Sequence, residues 1–173
     1  MSQTDKDILY QESQGVTQWW IWFMFFIVCF AVLYKLISSF LEISRNNDWS
    51  KLIVLSIPFI ILILVISLLV NMRLKTVIST HEIAWCYTPF FKKNKRIAFT
   101  EMSKISVIEY RPLAEFLGWG IRFNASTSAY TVKGNNGILI EFDSKRNILI
   151  GTQQAELVEE VLKKINLQGD EAI

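Results

Sequence analysis

The chain has 173 residues, of which 51% are hydrophobic and 20% are charged, and its formal net charge is +2. So small a charge, without a long basic run, does not indicate a nucleic-acid-binding protein. Charged residues are nearly absent from two blocks in the first half and are concentrated in the second half. This segregation predicts a membrane-inserted part followed by a water-soluble part.

The chain opens with a polar and slightly acidic stretch, and we expect residues 1–18 to form an N-terminal tail. This stretch lacks the short basic region with which a secretory signal peptide begins. The apolar block behind it is too long for a signal peptide, and no small-residue cleavage site follows. The sequence therefore predicts that the block is retained as a membrane anchor.

The first apolar block runs from Trp19 to Leu41 and contains Lys35 as its only charged residue. As a helix it would be roughly 34 Å long, enough to cross a hydrocarbon core of about 30 Å. Three tryptophans lie near its start, where indole rings favour the membrane interface, and Lys35 can extend to the headgroups near its other end. The pattern predicts a transmembrane helix over about 19–41.

The second apolar block, about 52–72, has no charged residue and is apolar on all sides, which predicts a second transmembrane helix. Residues 42–51 form a short polar connection, so we expect an antiparallel helical hairpin with both termini on one side of the membrane. Basic residues are equally frequent on the two sides, so the positive-inside rule does not fix the orientation. Basic residues at 92–96 favour termini in the cytosol and a multi-pass protein of the cell (inner) membrane.

Beyond the second block the hydrophobic pattern changes to a period of two residues, as is typical of β-strands. The segment 129–142, AYTVKGNNGILIEF, predicts a hairpin because Gly and Asn tolerate the positive φ angles of tight turns, and a second hairpin is predicted across residues 143–147. An amphipathic helix over about 153–165 is predicted by one apolar face, formed by Leu157, Val158, Val161, Leu162 and Ile165. We expect an antiparallel β-barrel or sandwich over 73–166, capped by this C-terminal α-helix, and a tail at 167–173.

Three segments, STHEIAW, RIAFTEMSKISVIE and RPLAEFLGWGIRF, follow one another in the second half. With the two preceding spans, they resemble bacterial membrane proteins that carry a pleckstrin-homology-like (PH-like) domain. The likeness covers roughly residues 74–165, and the GWGIR stretch is similar to a subset of these proteins whose function is not established. The resemblance implies a PH-like fold at a membrane and supplies no catalytic residues.

The stretch FLGWGIRF, residues 116–123, places Trp119 between Gly118 and Gly120 and then presents Arg122. We favour a structural role, because glycine accommodates the dihedral angles needed where a helical turn enters a strand. The alternative is a partner or ligand site in which the guanidinium of Arg122 binds a carboxylate or phosphate. Its candidate partners within the chain are Glu101, Glu109 and Glu141.

The stretch FFKKNKR, residues 90–96, joins two predicted strands and places four basic residues beside two phenylalanines. Each basic residue near an anionic bilayer contributes about 1 kcal/mol of attraction, so this stretch is a candidate for lipid or partner contact. An ordinary solvated hairpin explains the pattern equally well. The four basic residues are Lys92, Lys93, Lys95 and Arg96.

No pattern in the sequence indicates catalysis or a cofactor. Cys29 and Cys86 form no CxxC pair and His81 has no partner at metal-ligand spacing, so neither a disulfide scaffold nor a metal site is predicted. We therefore expect a non-enzymatic, membrane-anchored binding or assembly module that contacts a protein partner or other copies of itself. The alternatives are an anionic-lipid-sensing regulator acting through residues 92–96 and a membrane enzyme, which would need a polar cleft.

Overall fold

The computed structural model of the chain describes residues 8–46 and 50–170, with side chains described over 8–40 and 56–165. The chain divides into two compact units. One is the helical unit, residues 17–71, and the other is the β domain, which is formed by the chain on both sides of that segment. The β domain is therefore assembled from two stretches that are separated in sequence by the helices.

The helical unit contains α1 (Trp19–Asn46) and α2 (Ser50–Asn71). The part of α1 from Trp19 to Phe40 is long and apolar enough to cross a membrane, with a mean hydropathy of 2.2. The part of α2 whose side chains are described, Ser56–Asn71, is apolar but shorter than a full span. Residues 42–51 were expected to form the connecting loop, but 42–46 extend α1 and 50–51 begin α2, because no Gly or Pro interrupts either helix there. Residues 47–49 lie outside the described part of the chain.

The described β domain contains two sheets and two helices. The first sheet consists of β1 (Ile8–Gly15), β2 (Arg73–Ser79), β3 (Glu82–Thr88) and β4 (Phe91–Ala98), in that order and all antiparallel. The second consists of β5 (Lys104–Glu109), β6 (Gly120–Phe123), β7 (Thr127–Thr131), β8 (Asn136–Glu141) and β9 (Asn147–Thr152), in the order β5-β8-β9-β7-β6. A 3-10 turn (Phe99–Glu101), the short helix α3 (Pro112–Phe116) and the C-terminal helix α4 (Ala155–Asp170) complete the domain.

The inward faces of the two sheets and one face of α4 enclose a common core, so the domain is sandwich-like with a closing helix. Alternate positions of β2, β3 and β8 face inward and are buried, in keeping with the period of two residues. On α4 the predicted apolar face is confirmed except at Leu157, which is 47% exposed. The central core side chains are Leu74, Ile78, Ile83, Trp85, Tyr87, Ile138, Ile140, Ile150 and Val158.

The predicted hairpin across residues 129–142 is wrong, because β7 and β8 do not pair. Strand β9 lies between them and pairs parallel with β7 and antiparallel with β8, so that Ile150 is the Cα partner of both Tyr130 and Ile138. Strand β9 suits this central position because it is apolar on both faces: Ile150 lies in the main core and Leu149 in a smaller cluster on the other face. The predicted hairpin across residues 143–147 is confirmed by the antiparallel pairing of β8 with β9.

The N-terminal stretch, expected to be a tail, instead contributes strand β1 to the first sheet. Strand β1 pairs antiparallel with β2, with Gln14 opposite Leu74 and Gly15 opposite Arg73. The inward positions of β1 are Tyr10, Glu12 and Gln14, all of which are buried. Two of these three residues are polar, so the strand lacks the apolar alternation by which the others were recognised.

Candidate functional site

The basic stretch lies in β4, an edge strand of the first sheet, and not in a loop between strands. Lys95 is the Cα partner of Trp85 and Phe91 that of Tyr87, so three residues of β4 lie opposite Cys86 alone. This is a β-bulge, which bends an edge strand and interrupts its pairing. The bulged residues are Lys92, Lys93 and Asn94, and all three are exposed.

The four basic residues fall into two pairs. Lys95 donates a hydrogen bond from Nζ to the hydroxyl of Tyr130 at 3.1 Å, and its Nζ lies 4.6 Å from the centre of the Phe91 ring. Arg96 donates from Nη1 to Oε1 of Glu82 at 2.9 Å. Lys95 and Arg96 therefore have partners within the domain. The side chains of Lys92 and Lys93, in the bulge, are exposed to solvent.

The FLGWG stretch forms the corner between α3 and β6 and contains three residues with positive φ. Leu117 ends α3 with φ 58°, Gly118 has φ 119° and Gly120 has φ 116°. A φ near 116° is readily adopted only by glycine, which explains both glycines. Trp119 donates from Nε1 to the carbonyl of Gly134 at 2.7 Å, which ties the corner to the turn before β8. The geometry favours the structural interpretation of this stretch.

Two of the three carboxylates considered as partners of Arg122 make other contacts. Glu101 lies 3.7 Å from Nζ of Lys145, and Oε1 of Glu109 accepts a hydrogen bond from Asn135 at 2.5 Å. Arg122 itself donates from Nε to the carbonyl of Trp119 at 3.3 Å and remains exposed. Burial raises the pKa of the Tyr87 hydroxyl well above its usual value, and the positive charge of Arg122 partly offsets that rise.

Both candidate stretches meet at strand β7. The hydroxyl of Tyr87 donates to the carbonyl of Thr131 at 3.0 Å, and Thr131 is the Cα partner of Gly120. The neighbouring residue Tyr130 accepts the hydrogen bond from Lys95 and is the Cα partner of Ile121. The bulge of β4 and the start of β6 therefore belong to one region of the β domain, although they are separate in sequence.

This region adjoins the place where the chain leaves the β domain for the helices and returns. Gly15 is the Cα partner of Arg73, and Arg73 is the Cα partner of Thr88. The turn that follows Thr88 carries Phe90, which is 56% exposed and whose ring centre lies 5.9 Å from that of Tyr87. We call this region the helix-attached end; it comprises Gly15, Arg73, residues 88–93 and residues 120–122.

Sequence reasoning missed a buried polar cluster that joins β1 to the start of α4. Glu12, only 9% exposed, accepts hydrogen bonds at Oε2 from Tyr10 at 2.6 Å and from Thr152 at 2.8 Å. Its Oε1 accepts from the backbone N–H of Gln153 at 3.0 Å, and Thr152 in turn accepts from the N–H of Gln154. The carboxylate thus accepts one backbone N–H just before the N-terminus of α4, where negative charge is favourable. We call this set the Glu12 cluster.

Among the described residues, no group of three or more His, Cys, Asp or Glu side chains is arranged to hold a metal ion. A cavity of about 300 Å³ lies between α4 and the start of β5, lined mainly by apolar side chains with Ser103 and Lys104 as its polar members. No family model, curated protein or solved structure matches the chain.

Proposed function

We propose that the protein is a non-enzymatic binding or assembly module, anchored in the cell (inner) membrane by a two-helix hairpin. Its β domain, which we propose to be PH-like, lies at the cytosolic surface and contacts a protein partner or other copies of the chain. The order of strands, 3-10 turn, short helix and C-terminal helix supports the PH-like assignment.

The main observation in support of this proposal is the antiparallel pairing of Gly15 in β1 with Arg73 in β2. Since β1 precedes the helices and β2 follows them, both ends of the helical unit start from neighbouring strands of one sheet. A membrane-inserted segment with both ends on one side must cross the bilayer an even number of times. This supports α2 as a second span beside α1, whose apolar character alone is sufficient for a crossing.

The Glu12 cluster supports an anchor that is retained. Cleavage after α1 would separate β1 from the rest of the β domain. It would leave the side chains of Tyr10 and Thr152 and the backbone of Gln153 without the carboxylate that they contact. A buried polar group that loses its hydrogen-bond partner lowers the free energy of unfolding. The β domain is therefore expected to be more stable in the uncleaved chain.

Crosslinking in native membranes tests the module role. We expect partner proteins, or crosslinked copies of the chain, to be recovered with the full chain and lost when residues 74–173 are deleted. Equal recovery of the two chains in the membrane fraction is the necessary control. Retention of every partner by the truncated chain would show that the β domain is not the binding module.

The exposed Lys92 and Lys93 favour a second candidate function, a regulator that senses anionic lipid. A soluble version of the β domain tests it, made by replacing residues 17–71 with a short Gly/Ser linker between the neighbouring ends of β1 and β2. We expect this chain to bind vesicles more strongly as their anionic lipid content rises and more weakly as salt rises. Binding that is indifferent to both variables would rule this function out.

A further inference from the structure

We propose that the helix-attached end of the β domain docks directly on the anionic surface of the bilayer in which the helices are anchored. This inference rests on the proposed function, because it requires the anchor. An exposed phenylalanine enters the interfacial layer and basic side chains contact the lipid phosphates. The contact residues are Arg73, Phe90, Lys92, Lys93 and Arg122.

Chain length keeps this end close to the membrane. Only three residues separate Gly15 from Trp19, where α1 begins, and Met72 alone separates α2 from β2. An extended residue spans at most about 3.6 Å, so each strand end lies within roughly 15 Å of a helix end. Trp19 is 76% exposed, and tryptophan favours the headgroup level of a bilayer. The strand ends therefore start from the interfacial layer.

The first sheet brings an apolar tip to this end. Thr88 donates a hydrogen bond to the carbonyl of Arg73 at 3.3 Å, which holds the β3–β4 turn beside the start of β2. Phe90 projects from this turn and is 56% exposed, while Tyr87 supports one side of its ring. A large apolar side chain exposed next to cations is suited to the membrane interface.

The second sheet adds another cation. Tyr87 donates a hydrogen bond to the carbonyl of Thr131, which is the Cα partner of Gly120, so the start of β6 lies in the same region. On β6 Arg122 is exposed, and its positive charge acts on the hydroxyl of Tyr87. Arg122 therefore joins Arg73, Lys92 and Lys93 as an exposed cation of this region.

The positive charge of the helix-attached end favours anionic lipid as its binding partner. Arg73, Lys92, Lys93 and Arg122 are all exposed. Near an anionic bilayer each such cation changes a docking equilibrium by about 5-fold. Loss of two lysines is therefore expected to weaken docking by about 30-fold.

Quenching by brominated lipids tests the contact in the full chain reconstituted in nanodiscs. Cys29 and Cys86 are replaced by Ala, and a fluorophore is attached through Phe90→Cys or, as the matched control on α4, through Leu157→Cys. We expect quenching at position 90 in anionic nanodiscs and little at position 157. A second label at Asn94→Cys, an exposed residue of the bulge, retains the test if the first variant folds poorly.

Charge reversal completes the test. Lys92→Glu/Lys93→Glu is expected to reduce the quenching at position 90, and Lys163→Glu/Lys164→Glu, an equal change on exposed residues of α4, is expected to leave it unchanged. Equal quenching at positions 90 and 157, or a label at position 90 that is shielded by a protein and not by lipid, would overturn the contact. Resistance to alkaline extraction is measured on the same chain. A chain that resists extraction keeps the proposed anchor even if the contact is overturned, whereas extraction by alkali would overturn the anchor itself.

Discussion

At the scale of single residues, the left-handed backbone conformation of Leu117 destabilises the β domain, and a substitution can relieve this strain. Leu117 ends α3 in the left-handed conformation and is 84% exposed, so its side chain gains little from burial. Glycine adopts this conformation without the steric penalty of a Cβ atom. We expect Leu117→Gly to stabilise the β domain by about 1 kcal/mol, measured as a shift in the thermal unfolding midpoint in detergent micelles.

The matched control is Leu113, an exposed leucine in the interior of the same short helix. Glycine is a poor helix former, so Leu113→Gly should destabilise the domain by about 1 kcal/mol. The two substitutions remove the same side chain and should act in opposite directions. Destabilisation by both would mean that the left-handed conformation of Leu117 carries no penalty in this context.

Tyr87 links stability to alkaline pH. Burial raises the pKa of its hydroxyl above the value of about 10 that a tyrosine has in an unfolded chain. As pH rises past 10 the unfolded chain therefore loses its proton first, and the stability present at lower pH is lost. We expect Tyr87→Phe to cost about 1 kcal/mol at neutral pH, from the lost bond to Thr131, and to lessen the decline above pH 10.

Unfolding midpoints of the two chains, measured across the range from neutral to about pH 11, check this prediction. Tyr10 and Tyr110, whose pKa values are also raised chiefly by burial, remain in the variant and should preserve part of the decline. An identical decline in Tyr87→Phe and the parent chain would show that ionisation of Tyr87 is not coupled to unfolding.

At the scale of elements, the Glu12 cluster joins the first strand to the last helix. Glu12→Ala removes the acceptor of three hydrogen bonds and the negative charge at the N-terminus of α4. We expect a loss of roughly 2–4 kcal/mol in unfolding free energy and faster hydrogen exchange in the first turn of α4. Gln11→Ala, an exposed neighbour on the same strand, is the control and should change neither quantity appreciably. Matching effects of the two substitutions would contradict the role given to Glu12.

The strands that the sequence predicted correctly are those in which inward and outward positions differ in polarity. On β3, Ile83, Trp85 and Tyr87 alternate as expected and all lie in the core. Strand β1 was not predicted because the polar residues Glu12 and Gln14 occupy inward positions. Their burial depends on partners that lie more than a hundred residues away in the chain. A pattern of hydrophobicity contains no information about such a partner.

The order in which the strands pair in the second sheet also could not be predicted from the local sequence pattern. The Gly134–Gly137 turn specifies a reversal of the chain, and Gly134 has the positive φ of 78° that such a turn requires. It does not specify which strand fills the place beside β8, and β9 takes that place because both of its faces are apolar. Likewise, residue type located the basic stretch and the GWG stretch, but only the tertiary bonds of Tyr87 and Lys95 to β7 bring them together.

At the scale of the whole molecule, the split of the β domain links membrane insertion to folding. Strand β1 precedes the helices, and the strands that complete its sheet follow them. The domain can therefore close only when both of its parts are on the same side of the membrane. The proposed two-span anchor meets this requirement because it returns the chain to the side from which it started, and the proposed topology is directly measurable.

Labelling of single cysteines with a membrane-impermeant maleimide measures that topology in the chain with Cys29 and Cys86 replaced. Ser13→Cys on β1 and Lys104→Cys on β5 are both at exposed positions of the β domain, and residue 48 lies between the helices, outside the described residues. We expect positions 13 and 104 to react from the cytosolic side and position 48 from the opposite side. A membrane-permeant maleimide should label all three positions and so serves as the control for reactivity. Labelling of position 48 from the same side as position 104 would contradict a second crossing, and labelling of positions 13 and 104 from different sides would contradict the pairing of β1 with β2.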